Sequence, residues 1–149
     1  MFQKYLYGVD LKVLKFVAHN YKRYKEYANV FDFTDILQMF VDKGAALPID
    51  IAIIDEAQDL TSLQWDMCKV AFRDCSKVYI AGDDDQAIYE WSGADVNYFI
   101  NLKGSSTILE RSYRLPKSIL KFSRHISSGI KERIEKNFDS VKEEGQILF

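Results

Sequence analysis

Residues 48 to 59, Pro-Ile-Asp-Ile-Ala-Ile-Ile-Asp-Glu-Ala-Gln-Asp, constrain the fold more than any other stretch of the chain. Ile51, Ala52, Ile53 and Ile54 form a short, largely β-branched run, opened by Pro48 and Asp50 and stopped abruptly by Asp55 and Glu56. Such a run predicts a strand buried on both faces, as in a parallel sheet covered by helices. The two acids then fall at the carboxyl edge of the sheet, where ligands of open α/β sheets collect. Adjacent acids there can divide the work of phosphoryl transfer, Asp55 holding a hydrated divalent ion and Glu56 orienting or deprotonating a water. The same string also fits a strand followed by an acidic turn that caps the next helix, and the residues alone leave both readings open.

Around this strand the hydrophobic pattern alternates between helical and extended periods. From Val9 to Ala28, Leu14, Val17, Tyr21, Tyr24 and Ala28 recur at three- and four-residue steps, while Lys12, Lys15, Lys22, Arg23 and Lys25 take other faces, which predicts an amphipathic helix. A second helix is predicted after Asp32, whose carboxylate can accept from first-turn amides, with a stripe of Phe33, Ile36, Leu37, Phe40 and Val41 and a stop at Gly44. Thr61 and Gln64 stand in capping-box spacing ahead of a third, with Leu63, Met67, Val70 and Ala71 facing inward. Lys77 to Ala81 is a second apolar run, halted by Gly82 and Asp83-Asp84-Asp85. Strand, helix and strand in this order predict a right-handed parallel crossover, so both strands deliver their polar ends to one sheet edge.

Tyr89 and Trp91 follow closely on the second of these edges. Aromatics beside a polar loop can be core, which composition alone favours, or can offer flat faces on which bases stack. Farther along, Asp95 predicts the cap of a short helix, Thr107 to Glu110 a third strand, and Pro116 the start of a long helix with Ile119, Phe122, Ser123, Ile126, Ile130 and Ile134 on one side. Gly145 to Phe149 reads as the beginning of another strand.

A chain of 149 residues, 48% of them hydrophobic, has material for one ordinary domain with a core and not for two complete ones. Its net charge of −2 provides no overall basic field, so any nucleic-acid contact is local. Cys68 and Cys75 are spaced for neither a zinc site nor a disulfide framework, which fits a reducing compartment. No apolar run approaches the roughly 20 residues of a membrane helix, and no basic-then-apolar leader opens the chain. The expectation is a soluble cytoplasmic protein without a membrane partner.

Four strings taken together, F-D-F-T-D-I-L (31–37), I-I-D-E-A-Q-D (53–59), G-D-D-D-Q-A-I-Y-E-W-S-G-A (82–94) and L-E-R-S-Y-R-L-P (109–116), resemble the successive signatures of the UvrD/Rep-like superfamily 1 DNA helicases. The resemblance implies an α/β fold built on RecA-like, P-loop NTPase domains that clamp ATP and Mg²⁺ and step along single-stranded DNA towards duplex junctions. Residue by residue it implies that Asp55 holds Mg²⁺, Glu56 activates the attacking water and Gln86 senses the γ-phosphate. It further implies that Tyr89 and Trp91 support and stack on DNA bases, and that Arg114 is an arginine finger. A positioned arginine of that kind is worth ~10³–10⁵ in rate.

Two departures matter. Ser92 stands where the family usually has arginine, removing one expected contact to the DNA backbone, and no G-x-x-x-x-G-K-[ST] phosphate loop occurs in residues 1–149. The chain therefore reads as an internal slice of a longer polypeptide: 1–30 the end of an inserted helical domain, 31–109 the later part of a first RecA-like domain, and 110–149 the beginning of a second. By itself it is expected to lack ATPase activity. The alternative is a non-enzymatic remnant or binding module derived from such a helicase.

Overall fold

The central parallel pair forms from two short apolar runs, the first followed by Asp55 and Glu56 and the second by Gly82 and Asp83. The computed structural model describes residues 10–147. In it β1 (Ile51–Ile54) lies parallel to β2 (Lys77–Ile80), with Ile54 opposite Ile80, and the connection between them is helix α3 (Ser62–Ala71). Helices α1 (Leu11–Ala28) and α2 (Phe33–Lys43) precede this unit; α4 (Val96–Ile100) and α5 (Lys117–Ser127) follow it. A second parallel pair, β3 (Arg111–Ser112) with β4 (Asp139–Ser140), brackets α5. Among the described residues no helix is long and apolar enough to cross a membrane.

The local capping chemistry is that expected from the sequence. Asp32 and Asp35 form a reciprocal capping box at α2, and Gly44 closes that helix at φ 66. Thr61 and Gln64 do the same for α3, Asp95 accepts from Tyr98 N at α4, and Pro116 stands immediately before α5.

Burial departs from the sequence expectation in an instructive way. The strand predicted to be covered on both faces is covered on one: Ala52 and Ile54 are buried, whereas Ile53 is 74% exposed and Ile51 is exposed as well. Ile53 and its neighbour Tyr79 share that open face, because residues in parallel register point the same way. The described residues place α3 and α4 against the other face, where Ile54, Ala57, Trp65 and Cys68 form the core with Tyr98, Phe99 and Leu102 around it. Trp65, 3% exposed, stacks at a tilt on Tyr98 with ring centroids 4.7 Å apart.

The inward stripe of α3 is consequently Trp65, Cys68 and Ala71, with the predicted Leu63, Met67 and Val70 half-buried beside it. In α2 the predicted stripe splits: Leu37, Phe40 and Val41 are half-buried, and Phe33 and Ile36 are exposed, since the helix meets α3 along its C-terminal half. In α1 only Leu14 and Ala28 of the predicted stripe are half-buried, and Val17, Tyr21 and Tyr24 are exposed. What anchors α1 is a cation expected on its solvent face: Lys25 bridges Asp32 at 2.8 Å and Asp35 at 2.6 Å. Its hydrogen bonds to Asp32 and Asp35 hold the Lys25 ammonium above its usual range, and the Lys25 hydrogen bond in turn keeps Asp32 well below the usual carboxylate range.

The C-terminal third differs most from its sequence reading. The strand expected at Thr107–Glu110 is instead Arg111–Ser112, because the ladder partner Asp139–Ser140 fixes the register two residues later. Helix α5 ends at Ser127 rather than continuing its stripe to Ile134; Ser127 and Ser128 turn hydroxyls back onto backbone carbonyls there, a competing bond that weakens a helix. Leu120 is its buried residue, with Phe122 and Ile126 exposed. Gly145 to Ile147 form no strand; Gly145 instead packs on Pro116 and Ser118, close enough that an added Cβ would meet the Pro116 ring at 2.7 Å. Leu148 and Phe149, which complete that predicted strand, lie outside the described residues, as does Val9 at the predicted start of the first helix.

Gly82 faces the same constraint at the end of β2. A Cβ there would stand 2.7 Å from Gln58 Oε1 and 2.9 Å from Phe99 Cζ, both held by the core. Gly82→Ala is expected to cost about 1–3 kcal/mol by overpacking, read from denaturant midpoints; an unchanged midpoint would show that the core yields freely here. The Asp32 pair carries a pH signature. Because the folded carboxyl is held down, its stabilisation is complete above the unfolded value of about 3.9 and is lost as pH falls towards the folded one. Asp32→Asn should therefore flatten the fall in stability between about pH 5 and pH 2, and an identical acid limb would remove the pair from the account.

Candidate functional site

The ladder of the central pair does not stop with its strands. Ala81 N donates to Ile54 O at 2.8 Å, and Ala57 N donates to Ala81 O at 3.0 Å, so the Asp55–Glu56 step is clamped beside the Ala81–Gly82 step. Both loops therefore leave one sheet edge side by side, as the crossover topology predicts.

Within the first loop Asp55 Oδ1 accepts Glu56 N at 2.9 Å, and Glu56 adopts a left-handed backbone at φ 51, uncommon for a residue with a side chain. Strained conformations of this kind persist where surrounding structure over-determines them, and they cluster at functional sites. Both acids are exposed. The surrounding structure is a single-turn 3₁₀ helix, Ala57–Asp59, whose first two residues are buried.

Gln58, 2% exposed, is the residue that sequence reasoning missed. Its Nε2 donates to Glu56 Oε2 at 2.8 Å, and its Oε1 accepts Asp83 N at 3.0 Å, so one buried amide spans the two loops. Both ends of the amide are satisfied, which is what permits its burial. The signal available in the sequence was a lone amide placed between acids, close in space to a glycine only once the strands are paired.

On the second loop Asp83 caps the turn Asp84–Gln86 by accepting Asp85 N, and its Oδ2 accepts Gln86 Nε2 at 2.8 Å. Gln86 is exposed yet oriented. A hydrogen-bonded path thus runs from Glu56 through Gln58 and Asp83 to Gln86. Burial pushes the Asp83 carboxyl up, but hydrogen bonds from Gln86 and Lys136 outweigh this and hold it below the usual carboxylate range.

Tyr89 and Trp91 are exposed, Trp91 to 60%, so the core packing that composition favoured for them is not what the fold does. The reason is local: Trp91 sits in a one-turn helix, Glu90–Ser92, whose three residues are all exposed and which Gly93 closes at φ 101. Ser92 is used internally, its hydroxyl donating to Tyr89 O at 2.8 Å. This aromatic turn is stapled to the acid loop's own helix: Ala94 bridges Thr61, Asp95 N donates to Leu60 O at 2.9 Å, and Ser62 Oγ donates to Asp95 Oδ2 at 3.0 Å.

Arg114 forms no ion pair with the acids. It is exposed in the turn between β3 and α5, and its side chain makes no hydrogen bond or ion pair among the described residues. Nor do the described residues hold any group of three or more His, Cys, Asp or Glu suited to enclosing a metal.

Comparison with known proteins identifies the family. A family described as the UvrD/REP helicase N-terminal domain matches residues 8–107. The chain is 28% identical over 131 residues to "DNA helicase II" of Haemophilus influenzae, a match covering 79% of this chain and 18% of that protein. It is 27% identical over 147 residues to "ATP-dependent DNA helicase Rep" of Buchnera aphidicola subsp. Baizongia pistaciae, covering 86% and 21%. Over a shorter stretch of 73 residues it is 42% identical to "DNA helicase II" of Escherichia coli, covering 46% of this chain and 10% of that protein. The chain spans about a fifth of the length of the first two relatives, 18% and 21%. With the family matching 8–107 of 149 residues, this chain belongs to the UvrD/REP helicases through their N-terminal domain.

Proposed function

We propose that this chain supplies part of the ATPase and DNA-contacting machinery of an ATP-dependent DNA helicase. The observation that carries the reading is the continuous path Glu56–Gln58–Asp83–Gln86, which joins the acid at the end of one strand to an amide at the end of its neighbour. A motor that must register one terminal phosphate needs its water-orienting acid and its phosphate-sensing amide held in a fixed relation.

Glu56 would orient and deprotonate the attacking water, its exposed carboxylate held at one oxygen by the Gln58 amide. Asp55 is exposed and its Oδ1 serves Glu56 N, which leaves Oδ2 for a cation. One such carboxylate fits Mg²⁺, which keeps several waters and is commonly bound by one or two carboxylates plus phosphate oxygens. Bound there, the ion supplies neutralisation of the charge developing on the β- and γ-phosphates of ATP. Gln86 would donate its amide to the γ-phosphate. Arg114 would act as the arginine finger; its exposure and lack of a partner among the described residues leave it available for an anion.

Tyr89 and Trp91 would form the contact to single-stranded DNA next to duplex junctions, with exposure and the staple to Thr61 and Leu60 supporting this role. Ser92 adds no cation to that surface, so its electrostatic share of DNA affinity is smaller than an arginine would give. In this reading residues 1–30 end an inserted helical domain, 31–109 belong to a first RecA-like domain, and 110–149 open a second, in a cytoplasmic protein whose remaining segments supply the phosphate loop.

In the full polypeptide that carries this segment, Glu56→Gln should lower DNA-stimulated ATP hydrolysis by ~10²–10⁴-fold with nucleotide binding retained. Turnover at the unsubstituted rate would take Glu56 out of the chemistry. Trp91→Ala should weaken binding of a single-stranded oligonucleotide by about 1–3 kcal/mol in fluorescence anisotropy, and unchanged affinity would leave the exposed ring without a DNA role.

A further inference from the structure

The three carboxylates that follow Gly82 are neutralised by a segment some fifty residues away in sequence. Lys136 Nζ stands 2.7 Å from Asp83 Oδ1, 2.5 Å from Asp84 Oδ1 and 3.4 Å from Asp85 Oδ2. Arg133 Nη2 donates to Asp85 Oδ2 at 2.7 Å, and Ile134 N donates to Asp84 Oδ2 at 2.6 Å. Asp84 is 3% exposed, and the Lys136 side chain is largely buried with it. Three adjacent carboxylates repel one another and cannot be buried without counter-charges, so the stretch 133–136 is what allows the loop to close as it does.

Asp83 is where this clip meets the site. One of its oxygens takes Lys136 and the other takes Gln86 Nε2, while its amide is the group that Gln58 holds. We propose that Lys136 is a positioning residue for Gln86, fixing through the Asp83 carboxylate the direction in which the Gln86 amide is presented at the sheet edge. The inference rests on the reading of Gln86 as the γ-phosphate sensor and adds to it a residue from the segment beyond α5.

The geometry explains why the effect is one of orientation rather than of folding alone. Arg133 and the Ile134 amide hold Asp85 and Asp84 independently of Lys136, so the turn keeps two of its three anchors when the lysine charge is removed. Asp83 then keeps its bonds to Gln58 and Asp85 through its backbone and its own turn, but its carboxylate loses the cation that sets its plane. Gln86 follows that plane. Burial disfavours the Lys136 ammonium, and its hydrogen bonds to Asp83 and Asp84 more than restore it, so the cation is present throughout the neutral range.

The test compares Lys136→Met with Lys136→Arg, and with Lys142→Met as a surface control. The first readout is the side-chain amide resonances of Gln86 and Gln58 in the nucleotide-free 149-residue chain, with the Trp65 indole resonance reporting the core. Lys136→Met is expected to shift and broaden the Gln86 pair while Trp65 stays put, Lys136→Arg to return it, and Lys142→Met to leave it unmoved. A Gln86 pair unchanged in Lys136→Met overturns the proposal. Should that variant fail to fold, Lys136→Gln, which keeps a donor and drops the charge, is judged by the same criterion.

The second readout is ATP turnover by the full polypeptide. Lys136→Met should lower kcat by ~10-fold with KM for ATP changed less than about 2-fold, and Lys136→Arg should recover most of the loss, the pattern of misplacement rather than lost binding. Equal falls in kcat with Met and Arg, or a change confined to KM, overturn it. Absence of any ATP turnover in the unsubstituted polypeptide instead overturns the ATPase reading, with the clip still judged by the Gln86 resonances.

Discussion

One buried amide organises this site. The Gln58 side chain can lie at 2% exposure only because a carboxylate accepts from its nitrogen and a backbone amide donates to its oxygen. The amide donor comes from Asp83, on a loop separated from Gln58 by helix α3 and strand β2. The parallel pairing of β1 with β2 must therefore be in register before Gln58 can be satisfied, and once satisfied it resists any sliding of one loop past the other. Gly82 is part of the same constraint, since a Cβ there would press against Gln58 Oε1 at 2.7 Å.

From that link the rest of the site follows in both directions. On one side Glu56 is held in a left-handed conformation by a loop whose first turn is buried; on the other, Asp83 presents one carboxylate oxygen to Gln86 and the other to Lys136. The aromatic turn is attached separately, through the pairing of Thr61 with Ala94 and the Leu60–Asp95 bond at the start of α3. The acid loop and the aromatic turn are thus rooted in the same helix start. A short run of backbone and side-chain hydrogen bonds joins the two.

Charge is handled by two clips of similar design. Lys25 binds Asp32 and Asp35 between α1 and the start of α2, and Lys136 with Arg133 binds Asp83, Asp84 and Asp85. Each joins a segment that contributes little to the core around Trp65 to a segment that belongs to it or abuts it. A specific ion pair is a way to dock an element without a large apolar interface, and it fixes direction better than apolar contact because its geometry is narrow.

Local features were legible in the sequence because they depend on neighbours in the chain. The caps at Asp32, Thr61, Asp95 and Pro116, the stop at Gly44, the extent of the central strands and the position of the acids at their ends all follow from short-range hydrogen bonding and hydrophobic period. Among the candidate residues, Asp55 and Glu56 could be named from their place at a strand end and Tyr89 and Trp91 from their nearness to a polar loop, whereas Gln86 and Arg114 were named only through the family resemblance of the compact strings that hold them. Only the tertiary structure decided which faces are covered: that Ile53 is open and Ala52 closed, that Trp65 rather than Leu63 leads the α3 stripe, and that Tyr89 and Trp91 stand outside the core. Periodicity marks an apolar side but does not say what lies against it. Gln58 and Lys136 were invisible for a related reason. An isolated glutamine and one lysine among many acquire meaning only when pairing of distant segments brings a donor, an acceptor or a buried carboxylate within hydrogen-bond reach, and no short-range pattern encodes that distance.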